Sequence, residues 1–363
     1  MTTTSDAPST LYPKITSHIS EVVDSLLALN RDPESPESEV SIAPIPIIGT
    51  VKLHGTHGDI LIYHDNTIVF QSRNTVGLSA LKDNQGFAAA MSDKTTTLLR
   101  LRDSCVSRWR ELHPNSLLCE TYPVILAGEW IGTKIQKDVA VSQLSRRFVI
   151  VSLSINAEWQ KDQDYADNEA PEHDVYNICQ AGVFHATLYP HDVERTAADV
   201  EQLAEQVAAK CPFARLFGVD SAGEGIVWKL CSESETYHAS PALWFKTKGG
   251  KFKQSSYQAP RRRIEKNIGD REDKEARRKE AEKAAQSWCG TLRLEQGWDV
   301  LREKGIKRDA QGLGAFLTWV QQDILIEEKT IIQHVEMDEV MLKKEIAKIA
   351  RPWYKARVRD GIE

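Results

Sequence analysis

The sequence predicts an α+β fold, in which a domain of antiparallel sheets with flanking helices precedes an all-helical C-terminal domain. Three observations carry this. Between residues 45 and 248, apolar runs of strand length outnumber helical stretches and do not alternate with them, which argues against repeated strand–helix–strand units. From Arg271 onward, apolar residues recur at helical spacing instead. The polar, basic run from Gly249-Gly250 to Asn267 separates the two patterns and reads as a hinge. The expected organisation is a polar tail, helix and loop over 1–40, a strand-rich domain over 41–255 and a helical domain over 256–363.

Each element has a local reason. Residues 1–12 are small and polar and are expected to be disordered. Ile15, Ile19, Val22, Val23, Leu26 and Leu27 recur at helical spacing, which places an amphipathic helix over 13–30. Pro, Ser and Glu make 31–39 a loop. Strands follow at 45–53, 59–63 and 67–72, the last two joined by a hairpin turn at His64-Asp65-Asn66. A helical region covers 85–111, and 123–130 and 148–155 read as strands. The acidic stretch 158–173 is expected to be a surface loop, 175–188 extended and 196–210 helical. Strands at 224–230 and 243–248 end the first domain. Helices are expected at 271–286, 292–302, 313–326 and 338–358 in the second.

At 363 residues the chain is too long for one small core. Its 41% apolar and 27% charged content is that of an ordinary globular protein, and its net charge of −6 does not mark the whole chain as a nucleic-acid binder. Local basic runs exist all the same: Lys251-Phe252-Lys253, then Arg261-Arg262-Arg263 and Lys266, are suited to tracking phosphates. The six cysteines are scattered without a Cys-x-x-Cys pair, which excludes a zinc knuckle or disulfide framework and fits a reducing compartment. No apolar run reaches membrane-span length, and residues 1–10 lack the apolar core of a secretion signal, so an intracellular location and no membrane partner are expected. Neither Gly-x-Gly-x-x-Gly nor a Walker-type loop is present.

The chemistry centres on Thr50-Val51-Lys52-Leu53-His54-Gly55-Thr56-His57-Gly58. Lys52 lies inside an apolar run, where burial disfavours the ammonium form and releases the free amine that attacks an electrophile. Gly55 and Gly58 let the backbone turn and approach a ligand. Further along, Glu129 ends an apolar strand, Phe148 begins one, and Glu224-Gly225-Ile226-Val227 opens another with a carboxylate. In Phe245-Lys246-Thr247-Lys248 both lysines share one face of a strand.

Lys52-Leu53-His54-Gly55-Thr56, Glu129, Phe148, Glu224-Gly225-Ile226-Val227 and Lys246-Thr247-Lys248, in that order over 45–253, resemble the covalent nucleotidyltransferases: RNA ligases, DNA ligases and capping enzymes. Within that superfamily, His54-Gly55-Thr56 after the lysine is similar to the ATP-dependent RNA ligases of the phage nick-sealing class. The resemblance implies a nucleotidyltransferase fold (an ATP-grasp-like ligase domain). It also implies an RNA ligase that uses ATP with magnesium or manganese to join 5′-phosphate and 3′-hydroxyl RNA ends. By it, Lys52 becomes the lysyl-AMP nucleophile and Lys246 and Lys248 neutralise the α-phosphate. Glu224 holds the metal or its waters, Glu129 contacts the ribose, Phe148 stacks on adenine and Arg73 lies near the ribose and phosphate. Leu53, His54 and Gly55 complete the nucleotide-binding turn. One position departs: His57 stands where the family commonly has asparagine. Two other readings share the fold: a binding protein that joins no ends, and a DNA ligase or capping enzyme. The intact lysines and glutamates weigh against the first, and His54-Gly55-Thr56 with the helical C-terminus against the second. No obligate protein partner is expected.

Overall fold

Apolar and β-branched residues dominate 45–52, 124–131 and 147–155, and in the computed structural model these runs become the long strands of two sheets. The structure describes residues 10–32, 41–73, 75–231, 235–253 and 270–361. The chain divides into two units, Met1–Phe252 and Lys253–Glu363.

The first unit begins with α1 (Ile19–Asn30), β1 (Ile45–Lys52), β2 (Thr56–Ile62), β3 (Ile68–Ser72) and β4 (Val76–Leu78). Two helices follow, α2 (Phe87–Ser92) and α3 (Thr95–Leu112), then β5 (Val124–Ile131), β6 (Arg147–Ile155), β7 (Glu158–Trp159), β8 (Val175–Asn177) and β9 (Phe184–Leu188). It closes with α4 (Val193–Ala209), α5 (Pro212–Arg215), β10 (Gly225–Leu230), α6 (Glu235–Ala239) and β11 (Phe245–Lys248). One sheet has four strands in the order β11-β10-β1-β9. The other has seven, ordered β4-β3-β2-β5-β6-β7, with β8 against β6. All pairings are antiparallel except β6 with β8, as the sparse helices led one to expect. One core contains Val22, Leu26, Ile47 and Trp228, and a second packs α2 and α3 against β2, β5 and β6 through Phe87, Leu98, Leu126 and Phe148.

Several sequence expectations change. The helix begins at Ile19 rather than at residue 13, because Thr16 forms a parallel bridge with Phe245. Ile15 and Ile19 are buried in either conformation, so apolar spacing does not tell them apart. Residues 10–12 are ordered, and Tyr12 packs among Trp159, Trp244 and His57. The region 85–111 is two helices, broken around Asp93 and Lys94. The stretch 158–173 is not a surface loop: Asp162, Tyr165 and Asn168 are buried in it, and Asp162 pairs with Lys229 at 2.7 Å. The strand expected at 243 starts at Phe245, after a short 3-10 turn.

The second unit is helical: α7 (Asp270–Trp288), α8 (Thr291–Glu303), α9 (Leu313–Glu327), α10 (Lys329–His334) and α11 (Glu339–Arg359). Trp288, Trp298, Phe316, Ile346 and Tyr354 lie in its core. The buried Arg293 of α8 reaches Asp323 of α9 at 3.0 Å, a charge pair that ties the two helices. No described helix is long and apolar enough to cross a membrane. The basic run Arg261-Arg262-Arg263 and Lys266 lies outside the described residues.

Candidate active site

Strand register assembles the site. Gly225 of β10 stands opposite Lys52 on β1 and opposite Lys248 on β11, so one end of the four-stranded sheet carries both lysines beside the residue that precedes β10, Glu224. Glu224 is 1% exposed. Its Oε2 accepts a hydrogen bond from Lys52 Nζ at 2.9 Å, and its Oε1 lies 3.0 Å from Lys248 Nζ. His54 Nδ1 approaches Oε2 at 3.3 Å from the turn after β1. Burial would raise the Glu224 carboxyl, but Lys52, Lys248 and His54 together hold it well below the usual carboxylate range. The carboxylate is thus a fixed anion that orients two ammonium groups, and a poor proton acceptor.

Gly225 is what lets the three strands close. A Cβ there would sit 2.0 Å from the Thr247 carbonyl oxygen, a backbone atom that cannot move without shifting Lys248. Gly225→Ala is therefore expected to destabilise the first unit by about 1–3 kcal/mol and to displace Lys248 from Glu224. Gly314→Ala in α9, where a Cβ meets nothing within 4 Å, is the control. Melting curves on the two variants check this; equal melting temperatures would refute the packing argument.

Gly55 brings the turn against β5. A Cβ on it would meet the Trp130 carbonyl oxygen at 2.5 Å and Glu129 Oε2 at 3.1 Å, so the His54–Thr56 turn lies directly over Glu129. Across the β2–β5 pair, Glu129 faces His57, whose Nδ1 is 3.9 Å from Glu129 Oε1. The other ring nitrogen of His57 bonds Asp59 Oδ1 at 2.7 Å, and Gln71 donates to Asp59 Oδ2 at 3.0 Å. Gln71 in turn donates to the Thr10 carbonyl at 2.8 Å, and Tyr12 stacks on His57 with ring centroids 4.8 Å apart. The segment before α1 therefore braces His57. Burial alone would lower the imidazole, but the charge and hydrogen bond of Asp59, with Glu129 adding, raise it to about 9. His57 is a cation at neutral pH.

The remaining sequence-derived residues fall into three groups. Lys246 stands opposite Val227 on β11, two residues from Lys248 and on the same strand face, with its backbone N–H donated to the Thr16 carbonyl at 2.8 Å. Leu53 is buried in the core that carries β1, and Arg73 follows β3, where its charge acts on Tyr12 and His57. Phe148 is not brought to the cluster around Glu224. It is fully buried on the opposite sheet face, 5.4 Å from the Phe87 ring, and fills the space above Gly128. Asp59, Gln71 and Tyr12 were missed by the sequence reading. Asp59 shares a strand face with His57 at spacing two, a signal that was there; Tyr12 and Gln71 offer none.

Among the described residues no group of three His, Cys, Asp or Glu is placed to hold a metal ion. Both Glu224 oxygens are engaged by ammonium groups, a donor set that does not suit direct coordination of a divalent cation. A cavity of about 580 Å³ is lined by Arg102, Arg110, Cys119 and Tyr122 and by none of the residues around Lys52. Shape alone does not locate the site; charge does.

A family model described as RNA ligase matches residues 45–248, the span that begins with β1 and ends at Lys248. No curated protein matches the chain. Among solved structures, an RNA ligase of Naegleria gruberi with PPi is similar at 15% identity and a TM-score of 0.42, covering 67% of this chain and 57% of that one. A mutant of it with AMP and Mn gives 15% identity, a TM-score of 0.40 and the same coverage of 67% and 57%. The chain thus matches little more than half the length of those proteins.

Proposed function

The chain belongs to the RNA ligase family, and from that premise we propose that it joins RNA ends with ATP through a covalent AMP on Lys52. The observation that carries the reading is Lys52 Nζ held 2.9 Å from a buried carboxylate that also fixes Lys248 at 3.0 Å. The Lys52 nitrogen is the nucleophile, and Lys248 on the same carboxylate is a second cation that can take up charge from a phosphate.

In the first step the Lys52 nitrogen bonds the α-phosphorus of ATP, the bond to the β-phosphate oxygen breaks, and pyrophosphate leaves. Lys248 and Lys246 lie on the strand face that would meet the triphosphate and spread its charge in the transition state. In the second, a 5′-phosphate oxygen of RNA attacks the AMP phosphorus and the protonated Lys52 nitrogen departs. In the third, a 3′-hydroxyl attacks the activated 5′-phosphate and AMP leaves. Glu129, beneath the His54–Thr56 turn, would contact the ribose, and Arg73 would act near the ribose and phosphate. Phe148 supports β5 from behind Gly128. A divalent ion would supply charge neutralisation on the phosphates, and Glu224, with both oxygens engaged by Lys52 and Lys248, does not suit direct coordination of it. Sealing of a nick in duplex RNA, the substrate of the phage class, is the first specificity to test. RNA bearing a 5′-phosphate and a 3′-hydroxyl is expected to be ligated, and the same RNA with a 5′-hydroxyl is not. Ligation of neither, in protein that forms no AMP adduct, would refute the reading.

His57 adds a pH dependence. Its raised value means that the folded state holds a proton which the unfolded state releases near pH 6.5. The stability it contributes is complete below about pH 6.5 and is lost as pH rises through about 9. Sealing of pre-adenylylated RNA is expected to fall over the upper part of that window, and His57→Asn to flatten the fall. Superimposable pH–rate profiles for the two proteins would count against a role for the imidazolium.

A further inference from the structure

The last helix carries a feature that the adenylylation site does not use. In α11, Leu342, Ile346, Ala350 and Tyr354 are buried and fix one face against the core of the second unit. Lys344, Lys348, Arg351, Lys355 and Arg359 are all exposed. Their spacings of four, three, four and four residues place them within an arc of roughly 80° on the opposite face, at 100° per residue. The stripe is roughly 22 Å long at the rise of an α-helix. The helix as a whole holds seven cations and two carboxylates, in a chain whose net charge is −6. Of those two carboxylates, Glu345 is buried and paired with Lys348 at 2.6 Å, and Glu339 lies in the first turn, 3.9 Å from Lys343.

Helix stability does not account for this arrangement. Cations stabilise the last turn of a helix through its dipole, which covers Arg357 and Arg359 but not Lys344, Lys348 or Arg351. Acids at a spacing of three or four support exposed helix lysines, as Glu345 does Lys348, and Asp360 pairs with Arg359 at 3.3 Å. Lys344, Arg351 and Lys355 have no acid at that spacing in α11. Like charges at that spacing repel, by a few tenths of a kcal/mol per pair.

We infer that the outward face of α11 is an RNA-binding surface, in which Lys344, Lys348, Arg351, Lys355 and Arg359 follow the phosphates of one strand. A stripe of this length can run beside several successive phosphates of one strand. The surface lacks the aromatic platforms that read bases, so its contribution is affinity and orientation with little sequence preference. A bilayer is a poorer match, because a membrane-surface helix must present an apolar face and that of α11 is buried in the core. The inference rests on the RNA-joining reading above and extends it to the substrate's backbone.

The test uses the full chain with Lys344→Gln, Arg351→Gln and Lys355→Gln combined, and nicked duplex RNA followed by fluorescence anisotropy at several salt concentrations. Loss of three phosphate contacts is expected to reduce the slope of log K against log salt by about 2–3 and to weaken binding at least ~10-fold at low salt. AMP attachment to Lys52, which involves no RNA, is expected to proceed at the wild-type rate in the same protein. Arg351→Lys alone, which keeps the charge, is expected to leave the slope unchanged. An unaltered slope and affinity in the triple variant would overturn the inference, as would equal binding to vesicles rich in anionic lipid. A wild type that takes no AMP would instead count against the ligase reading, so the two failures are separable.

Discussion

With ATP and a divalent metal, the wild-type chain is expected to gain the mass of one AMP, and Lys52→Ala none. The adduct is a phosphoramidate, stable enough for intact-mass measurement, and protein first treated with pyrophosphate starts free of AMP acquired during expression. Removing a nucleophile lowers a chemical step by on the order of 10⁴- to 10⁶-fold, so the variant falls below detection. Loss of the adduct through misfolding is separated by Lys52→Arg. That side chain keeps a cation beside Glu224 yet stays protonated at any working pH, so it preserves the charge cluster and still forms no adduct. An adduct on Lys52→Arg would assign the chemistry to another residue. A wild type without one, tested with manganese as well, would remove the covalent mechanism altogether.

Why Lys52 was legible from sequence, and much around it was not, follows from how each signal is written. Lys52 with its His-Gly-Thr turn is a contiguous string, and the Lys246–Lys248 pair declares its shared face through strand period. The meeting of Lys52 and Lys248 at one carboxylate depends on β1, β10 and β11 lying side by side, which motif order implied and the Gly225 register supplies. The bracing of His57 was invisible for the opposite reason. Tyr12 stacks on it from 45 residues before, out of a segment whose small polar residues read as disorder, and Gln71 of β3 holds its partner Asp59 across 12 residues. Asp162 shows the same limit: an acidic stretch looks solvated, and nothing local says that one of its carboxylates is buried against Lys229. Phe148 shows the reverse. Its position suggested a platform for a base, but Phe148 pairs with Trp130 across β5 and β6 and so shares that residue's face, opposite the one that carries Glu129. Long-range pairing is where the sequence reading stopped.

Glu224→Ala is expected to cost the first unit about 3 kcal/mol, because removing one member of a buried charge cluster leaves the others uncompensated. For a unit of this size that corresponds to a fall in melting temperature of roughly 6–12 °C. AMP attachment should slow by ~100-fold or more, since Lys52 and Lys248 lose the anion that fixes them. A destabilised fold and a misplaced lysine are different causes, and charge pairing separates them. Adding Lys52→Met and Lys248→Met to Glu224→Ala removes the uncompensated cations, so the triple variant is expected to melt above Glu224→Ala while attaching no AMP. The pH dependence gives a second handle. Glu224 is held below its ordinary value of 4.5, so the stability it confers is fully present above that pH and is lost as acid titrates the folded protein through its lower value. The melting difference between wild type and Glu224→Gln should therefore be constant from pH 5 to 7 and shrink only in stronger acid. A difference that stays unchanged from pH 5 down into stronger acid would mean that Glu224 titrates alike in the folded and unfolded chain, and then it is not the fixed anion on which the placement of Lys52 depends.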